Sequence, residues 1–337
     1  MKNDKNLSVD QTFNLAVRSH QNNNLQDAQN YYQKVLKIDP NHVSTLYNLG
    51  VMFKDLGEYQ KAISFYEKVI KIDPNHALAH NNLGVMFKVL GDNQKAISFY
   101  EKVIEIDPNF VNAYNNLGII FQELGKIQKA ISFYEKAIKI DPNHVTTLYN
   151  LGIIFKDLEK IQKAISFYEK TIKIDPNYAN AHNNLGVIFQ ELGEYHKAKD
   201  CYEKVIEINP NHVDAHNNLG AIFIKLDENK KAKDYYKKAI EIDPNHVEAH
   251  ANLSFLYIRS LDSLEKSITS SYKTLKIFHN NSKFINQRVS LYRLKHDVHQ
   301  AEYLISKNYK IEGIDDFQKI GSKILERVEN KEDENNY

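Results

Sequence analysis

The spacing of the prolines constrains this chain more than any other feature. All seven, Pro40, Pro74, Pro108, Pro142, Pro176, Pro210 and Pro244, follow one another at intervals of 34 residues. A fixed period in this range marks a stacked repeat architecture, in which each unit buries its apolar side against its neighbours. The period overrides the two or three domains that a length of 337 residues would suggest on its own.

Each unit reads as two helices. In the unit that starts at Val43, Leu46, Leu49, Phe53 and Leu56 recur at helical spacing on one face of a first helix, A. Gly57 supplies the left-handed residue that ends it, and Gly91, Gly125 and Gly193 repeat the stop. Glu159 and Asp227 stand where glycine is expected, so those two turns are predicted to be built differently. The second helix, B, runs from Tyr59 to Ile72 with Ala62, Phe65, Tyr66, Val69 and Ile70 on its buried side. Asp73-Pro74 stops it, because proline cannot continue the ladder and restricts the residue before it. Asn75 is then placed to cap the next A helix. Ser8-Val9-Asp10-Gln11 has the form of a capping box and sets the first helical residue at Val9.

Gly50, Gly84, Gly118, Gly152, Gly186 and Gly220 fall mid-helix at one phase, where each costs about 1 kcal/mol relative to alanine. A repeated cost of that kind points to close helix approach. Ala62, Ala96, Ala130, Ala164, Ala198 and Ala232 on the B helices are the expected partners. No phosphate-binding glycine motif surrounds these positions.

The pattern Leu49-Gly50, Phe53, Gly57, Ala62, Tyr66 and Pro74 resembles the tetratricopeptide repeat, and the likeness runs from residue 9 to about 280. It implies an all-α, right-handed superhelical α-solenoid of helix-turn-helix units. The frame gives eight repeats: 9–42, 43–76, 77–110, 111–144, 145–178, 179–212, 213–246 and a degenerate 247–280. Residues 1–8 are expected to be a flexible segment, 281–328 a decayed ninth repeat and capping helix, and 329–337 a disordered tail. One departure recurs: the family's aromatic near the start of helix A is Leu46, His80, Tyr114, Leu148, His182, His216 and His250, and the chain contains no tryptophan.

Composition narrows the partners. Lysine and arginine number 44 against 43 aspartate and glutamate, a balance that argues against nucleic acid or an anionic membrane as the main partner. No apolar run approaches the roughly 20 residues that span a bilayer. The polar start, Met1 to Ser8, predicts no signal peptide, and the single Cys201 fits a reducing compartment, so a cytoplasmic location is expected. Asn6, Asn252 and Asn280 in N-x-S sequons are then chance matches.

In the family the A helices line the concave side, and the strongest functional signal lies on them. Asn14, Asn48, Asn82, Asn116, Asn150, Asn184, Asn218 and Asn252 occupy one place in eight successive repeats. Asparagine is a poor mid-helix residue, so its recurrence asks for a reason. Two readings compete. The amides tie adjacent helices together, or they form a ladder that pairs with the backbone of an extended peptide. The second arrangement resembles the asparagine ladder in the repeat superhelix of O-linked N-acetylglucosamine transferase, although this chain has no glycosyltransferase domain. Val51, Val85, Ile119, Ile153 and Val187, three places after ladder asparagines, serve either as apolar groove contacts or as core. The carboxylate clamp of chaperone-binding relatives is missing, because its lysine and asparagine places hold residues such as Tyr47 and Val51.

The pairs His76/His80, His212/His216 and His246/His250 have a spacing that can present two ligands on one helical face, but neither a glutamate motif nor a cysteine pair completes a metal site. They read as packing and turn residues, and Cys201 reads as a buried thiol. With no nucleophile motif, no paired carboxylates and no nucleotide loop, the chain is expected to be non-catalytic and to need no cofactor or metal. Its expected role is a scaffold or adaptor that binds a protein or extended peptide in the concave groove. Two alternatives are a substrate-recruiting arm of a transferase or oxygenase whose catalytic domain lies elsewhere, and a scaffold that associates weakly with itself end to end.

Overall fold

The computed structural model describes residues 7–259, which form helices joined by short turns with no strand among them. In chain order they are α1 (Val9–Gln21), α2 (Leu25–Ile38), α3 (Val43–Asp55), α4 (Tyr59–Ile72), α5 (Ala77–Val89), α6 (Asn93–Ile106), α7 (Val111–Glu123), α8 (Ile127–Ile140), α9 (Val145–Asp157), α10 (Ile161–Ile174), α11 (Ala179–Glu191), α12 (Tyr195–Ile208), α13 (Val213–Lys225), α14 (Asn229–Ile242) and α15 (Val247–Arg259). Odd-numbered helices are the A helices and even-numbered the B helices. The chain divides into two compact units, Met1–Ile174 with α1–α10 and Asp175–Tyr337 with α11–α15. Within each unit every A helix from α1 to α13 packs on its own B helix, and each B helix packs on the next A helix of that unit, so the fold is an all-α solenoid. Helix B of the eighth repeat, the ninth repeat and capping helix of 281–328, the tail 329–337 and most of the 1–8 segment lie outside the described residues.

Helix starts are set by side chains. Ser8 and Gln11 exchange the two bonds of a capping box, Ser8 Oγ accepting from the Gln11 N–H at 3.1 Å and Gln11 Oε1 from the Ser8 N–H at 2.9 Å. Four later A helices, α3, α5, α13 and α15, are capped by histidine, not by the asparagine before it. Nδ1 of His42, His76, His212 and His246 accepts the N–H three residues on at 3.1–3.2 Å. Asn75 is displaced from that role because its N–H is held by Asp73 Oδ1 at 3.1 Å, in an Asx turn that moves the cap one residue along.

The A-to-B turns are alike, including those without glycine. Gly57, Gly91, Gly125 and Gly193 have φ between 69° and 79°, and Asn23, Glu159 and Asp227 take φ of 59°, 56° and 61°. Glu159 makes the same closing bonds as Gly57: its N–H reaches Lys156 O at 2.9 Å, as Gly57 N–H reaches Lys54 O at 3.0 Å. The expectation of differently built turns is therefore corrected. Packing on both sides imposes one backbone, and the Cβ atoms of Glu159 and Asp227 carry the strain.

The mid-helix glycines meet tyrosine rather than alanine. A Cβ on Gly50 would lie 2.5 Å from Tyr66 Cε1, and the corresponding distances at Gly84, Gly118, Gly152, Gly186 and Gly220 are 2.4–2.8 Å from Tyr100, Tyr134, Tyr168, Tyr202 and Tyr236. The ring lies flat against the backbone of its own repeat's A helix, leaving no room for a methyl group. Ala62 and its equivalents are buried nearby, where a larger side chain would push the B helix away. Leu46, Leu49 and Phe53 are buried as expected, whereas Leu56 is 46% exposed, because it caps α3 and no longer follows its inward face. On the other flank Phe53 stacks on Phe65 with centroids 5.5 Å apart, and Phe87–Phe99, Phe121–Phe133 and Phe155–Phe167 repeat the pair at 5.4–5.5 Å. Lys61, Lys95, Lys129 and Lys163 sit over these rings, which lets charged B helices cover aromatic surface.

Candidate functional site

The histidine pairs are occupied by structural bonds. Nε2 of His80, His182, His216 and His250 donates to the proline carbonyl six residues earlier at 2.9–3.0 Å, and Tyr114 does the same through its hydroxyl at 3.1 Å. These residues replace the missing tryptophan by tying helix A to the preceding turn. The first members, His76, His212 and His246, cap helices through Nδ1. No cluster of three or more His, Cys, Asp or Glu suited to a metal occurs among the described residues. Cys201 is half-buried, in the place of Phe65 and its equivalents.

The ladder asparagines form a second system of ties. The clearest is Asn82, whose Nδ2 donates to two tyrosine hydroxyls of the preceding repeat, Tyr66 on α4 at 3.2 Å and Tyr47 on α3 at 3.2 Å. Ladder amides also lie beside B-helix phenols at Asn48 and Tyr32, Asn116 and Tyr100, and Asn150 and Tyr134 in the first unit, and at Asn218 and Tyr202 in the second, where the amide favours the ionised phenol against the larger effect of burial. The tie to the preceding A helix recurs where an acceptor is available: Asn150 Nδ2 reaches Asn115 Oδ1 at 3.3 Å, and Asn252 Nδ2 reaches Asn217 Oδ1 at 3.0 Å.

These tyrosines explain why the amide is needed. From Tyr32 to Tyr202 their rings are the largest fully buried side chains of the protein, and Tyr236 is 2% exposed. A buried phenol requires a hydrogen-bond partner. Burial pushes the Tyr32 hydroxyl up to about 12, against the lowering effect of the Asn48 amide. Burial likewise raises Tyr66, Tyr100, Tyr134, Tyr202 and Tyr236. The phenols therefore stay protonated at neutral pH and serve as acceptor or donor. Tyr66 accepts from Asn82 at 3.2 Å, and Tyr134 and Tyr202 donate to Gln122 Oε1 at 3.0 Å and Gln190 Oε1 at 3.1 Å. At Asn82, Asn150 and Asn252 the amides tie adjacent helices together. The tie does not consume the whole amide: Oδ1 of Asn82 and of Asn150 accepts no bond and is not among the buried unpartnered atoms.

The remaining ladder residues are half-buried, except Asn14, which is exposed at the first repeat. Val51, Val85, Ile119, Ile153 and Val187 are half-buried as well, and Val51 and Val85 pack against the core of the first unit while keeping an outer edge. Sequence reasoning missed the tyrosine hydroxyls as the partners of the ladder. The signal was available, since tyrosine rather than phenylalanine stands at Tyr32, Tyr66, Tyr100, Tyr134, Tyr168, Tyr202 and Tyr236 without exception. It also missed Leu78 and Val89, two exposed apolar residues on the A-helix face of α5. Lys54 pairs with Asp55 at 3.2 Å and Lys88 with Glu123 at 2.9 Å, so these lip charges cancel locally.

Comparison with known proteins agrees with the repeat frame. Models of the tetratricopeptide repeat match residues 13–42, 43–76, 75–143, 109–177, 179–212, 213–246 and 235–268. No curated protein matches the chain. Among solved structures, the C-terminal part of a TPR repeat-containing protein from Cytophaga hutchinsonii is 21% identical, with 74% of this chain and 100% of that one covered and a TM-score of 0.57. The pilF protein of Pseudomonas aeruginosa is 20% identical over 61% of this chain and 94% of that one, with a TM-score of 0.56. Both likenesses show the fold. YrrB, a TPR protein with an unusual peptide-binding site, is 24% identical over 55% of this chain and 95% of that one, with a TM-score of 0.46. Among the described residues no helix is long and apolar enough to cross a membrane.

Proposed function

The chain belongs to the tetratricopeptide-repeat family, and from that premise we propose that it is a non-catalytic interaction scaffold whose A-helix face binds an extended polypeptide. One observation carries the reading: two ladder amides at the same helical place, Asn82 and Asn150, spend Nδ2 on the preceding repeat and keep Oδ1 open. The ladder therefore offers acceptors. An extended backbone supplies matching N–H donors along its length, at about 3.3 Å per residue against helices packed about 8–10 Å apart. Each such bond contributes only about 0.5–1.5 kcal/mol, so the outer edges of Val51, Val85 and Ile119 in the first unit, and of Val187 in the second, must add apolar contact.

The test is affinity capture from native lysate with three proteins. They are the wild type, a variant with Asn82, Asn116, Asn150 and Asn184 changed to Ala, and a variant with Tyr66, Tyr100 and Tyr134 changed to Phe. The second variant breaks the internal ties but leaves the amides in place. Partners held by the wild type and the tyrosine variant, and lost by the asparagine variant, support a binding ladder. Loss from both variants, or from neither, means that the ladder serves stability alone. Circular dichroism confirms that each variant is folded before capture.

A further inference from the structure

In the first unit, the second and last residues of each A helix face outward beside the ladder, and in all but one helix they are polar. They are Asp10 and Gln21 in α1, Ser44 and Asp55 in α3, Asn112 and Glu123 in α7, and Thr146 and Asp157 in α9. In α5 they are Leu78 and Val89, which are 49% and 54% exposed. The half-buried Val85 lies between them, seven residues after Leu78 and four before Val89, on the same side of the helix. The inter-repeat register adds a fourth apolar residue. Where the second residue is Asn112 or Asp214, its Oδ1 meets Nε2 of the histidine 32 positions later, His144 at 3.0 Å and His246 at 3.1 Å. The residue 32 positions after Leu78 is Phe110, the half-buried cap of α7, with no side-chain cap bond of its own. The apolar residues thus form two pairs, Leu78 with Phe110 at the start of α5 and Val85 with Val89 toward its end, spread over about 16 Å of helix at 1.5 Å per residue, while the interior of the same repeat keeps its usual pattern.

The surroundings specify what covers this patch. The nearby cations are neutralised within the protein, Lys54 by Asp55 and Lys88 by Glu123, so no net charge remains to attract a charged occupant. Asn82, on α5 itself, presents an open acceptor beside the patch. A helix or a second folded copy carries few free N–H groups along its surface, whereas an extended chain has an outward N–H at every other residue and a side chain beside it. We propose that α5 is the anchor of the bound polypeptide: Leu78 with Phe110, and Val85 with Val89, each receive one bulky aliphatic or aromatic side chain from an uncharged, extended stretch. This rests on the reading that the A-helix face binds extended polypeptide, and it names the chemistry that selects the partner. The remaining repeats hold backbone, and α5 reads two side chains.

The probe is a display library of random 12-residue peptides, selected against the full 337-residue chain. The comparison protein is L78S/V89D, which gives α5 the outer residues that α3 already carries at Ser44 and Asp55, and whose melting must match the wild type. The expected result is enrichment of uncharged peptides sharing two residues drawn from Leu, Ile, Phe, Tyr and Trp. Changing either residue to Ala in a selected peptide should weaken binding to the wild type by about 10-fold to 100-fold, as loss of a buried large side chain implies. The same change should have little effect on the weaker binding to L78S/V89D. If peptides are enriched but bind both proteins equally, the anchor is wrong and the binding face stands. If no peptide is enriched, both readings fall. If sedimentation shows a wild-type dimer that L78S/V89D abolishes, the occupant is a second copy and the peptide anchor is overturned.

Discussion

Helices α5 and α7 are consecutive A helices of one unit and share the tetrapeptide Asn-Asn-Leu-Gly, residues 81–84 and 115–118. Their interiors match: Gly84 and Gly118 each lie under a buried tyrosine, and Leu83 and Leu117 are fully buried. Their polar environments differ. Asn115 Oδ1 accepts from Thr147 Oγ1 at 3.0 Å and from Asn150 Nδ2 at 3.3 Å. Asn81 Oδ1 is buried without a partner. One repeat downstream the residue corresponding to Thr147 is Ala113, and Asn116, unlike Asn150, makes no bond to the preceding A helix, so both donors are missing. The same local sequence thus gives the same helix and packing, and the neighbour decides whether its polar atoms are satisfied. Outside the core the divergence widens to Leu78 and Val89 against Asn112 and Glu123, which is where partner choice is expected to reside.

The largest expected effect tests the shared part. Gly84→Val and Gly118→Val should each destabilise by about 3 kcal/mol, because the new side chain must displace a buried tyrosine ring from helix backbone. Equal losses in thermal melting, with faster hydrogen exchange in the altered helix pair, would confirm that the two interiors are equivalent. A mild effect at either site would show that its ring can move aside.

The next effect tests the difference. Asn115→Ala removes an acceptor from two buried or half-buried donors and should cost about 2 kcal/mol, whereas Asn81→Ala removes an unpartnered acceptor and should cost close to nothing. Ala113→Thr supplies one of the missing donors at a place where Thr45 and Thr147 are already buried, and should stabilise by about 1 kcal/mol. If Asn81→Ala and Asn115→Ala cost the same in chemical denaturation, the contrast between the two helices has no energetic content.

A smaller effect extends the comparison to the turns. Helices α5 and α7 are followed by Gly91 and Gly125, with φ of 79° and 69°, and α9 by Glu159 at 56°. Glu159→Gly should stabilise by about 1 kcal/mol, less the entropy that glycine adds to the unfolded chain, and Gly125→Ala should destabilise by a similar amount. A Glu159→Gly variant that melts below the wild type would mean that the glutamate side chain repays its backbone strain through contacts of its own.

The contrast also shows what a sequence of this kind discloses. The proline period, the stop glycines and the apolar spacing place helices α1 to α14 within the 34-residue frame, because the burial pattern has one solution when it repeats. The ladder asparagines were visible as a signal, but their partners were not. An amide-to-phenol bond spans helices sixteen residues apart, Asn82 to Tyr66, and its existence depends on packing rather than on local pattern. The same limit applies to the caps. Asn75 is the better capping residue by type, and His76 caps because Asp73 has already engaged the Asn75 N–H. Glu159 deceived the pattern in the opposite direction, since tertiary packing imposed the glycine backbone on a residue that disfavours it.

The smallest predicted effect concerns the junction that separates the two exteriors, where Asn112 meets His144 and Leu78 is aligned with Phe110. Burial holds the His144 imidazole below its ordinary value of 6.5, partly opposed by the Asp141 carboxylate. Its other close neighbours, Asn112 and Thr147, are uncharged, and Thr147 Oγ1 lies 2.7 Å from Nδ1. A lowered value in the folded state means that the unfolded chain takes up the proton first. The contribution is therefore intact above the unfolded value and is lost as pH falls from there through the folded value. Because the ring is not fully shielded from solvent, the loss should stay below about 1 kcal/mol. His144→Phe, which copies the Phe110 junction, should abolish this increment: the stability difference between pH 8 and pH 5 should shrink relative to wild type, while stability at pH 8 changes little. If the variant keeps the full pH dependence, His144 does not titrate with folding, and the polar and apolar junctions are interchangeable in everything except the partner they present to.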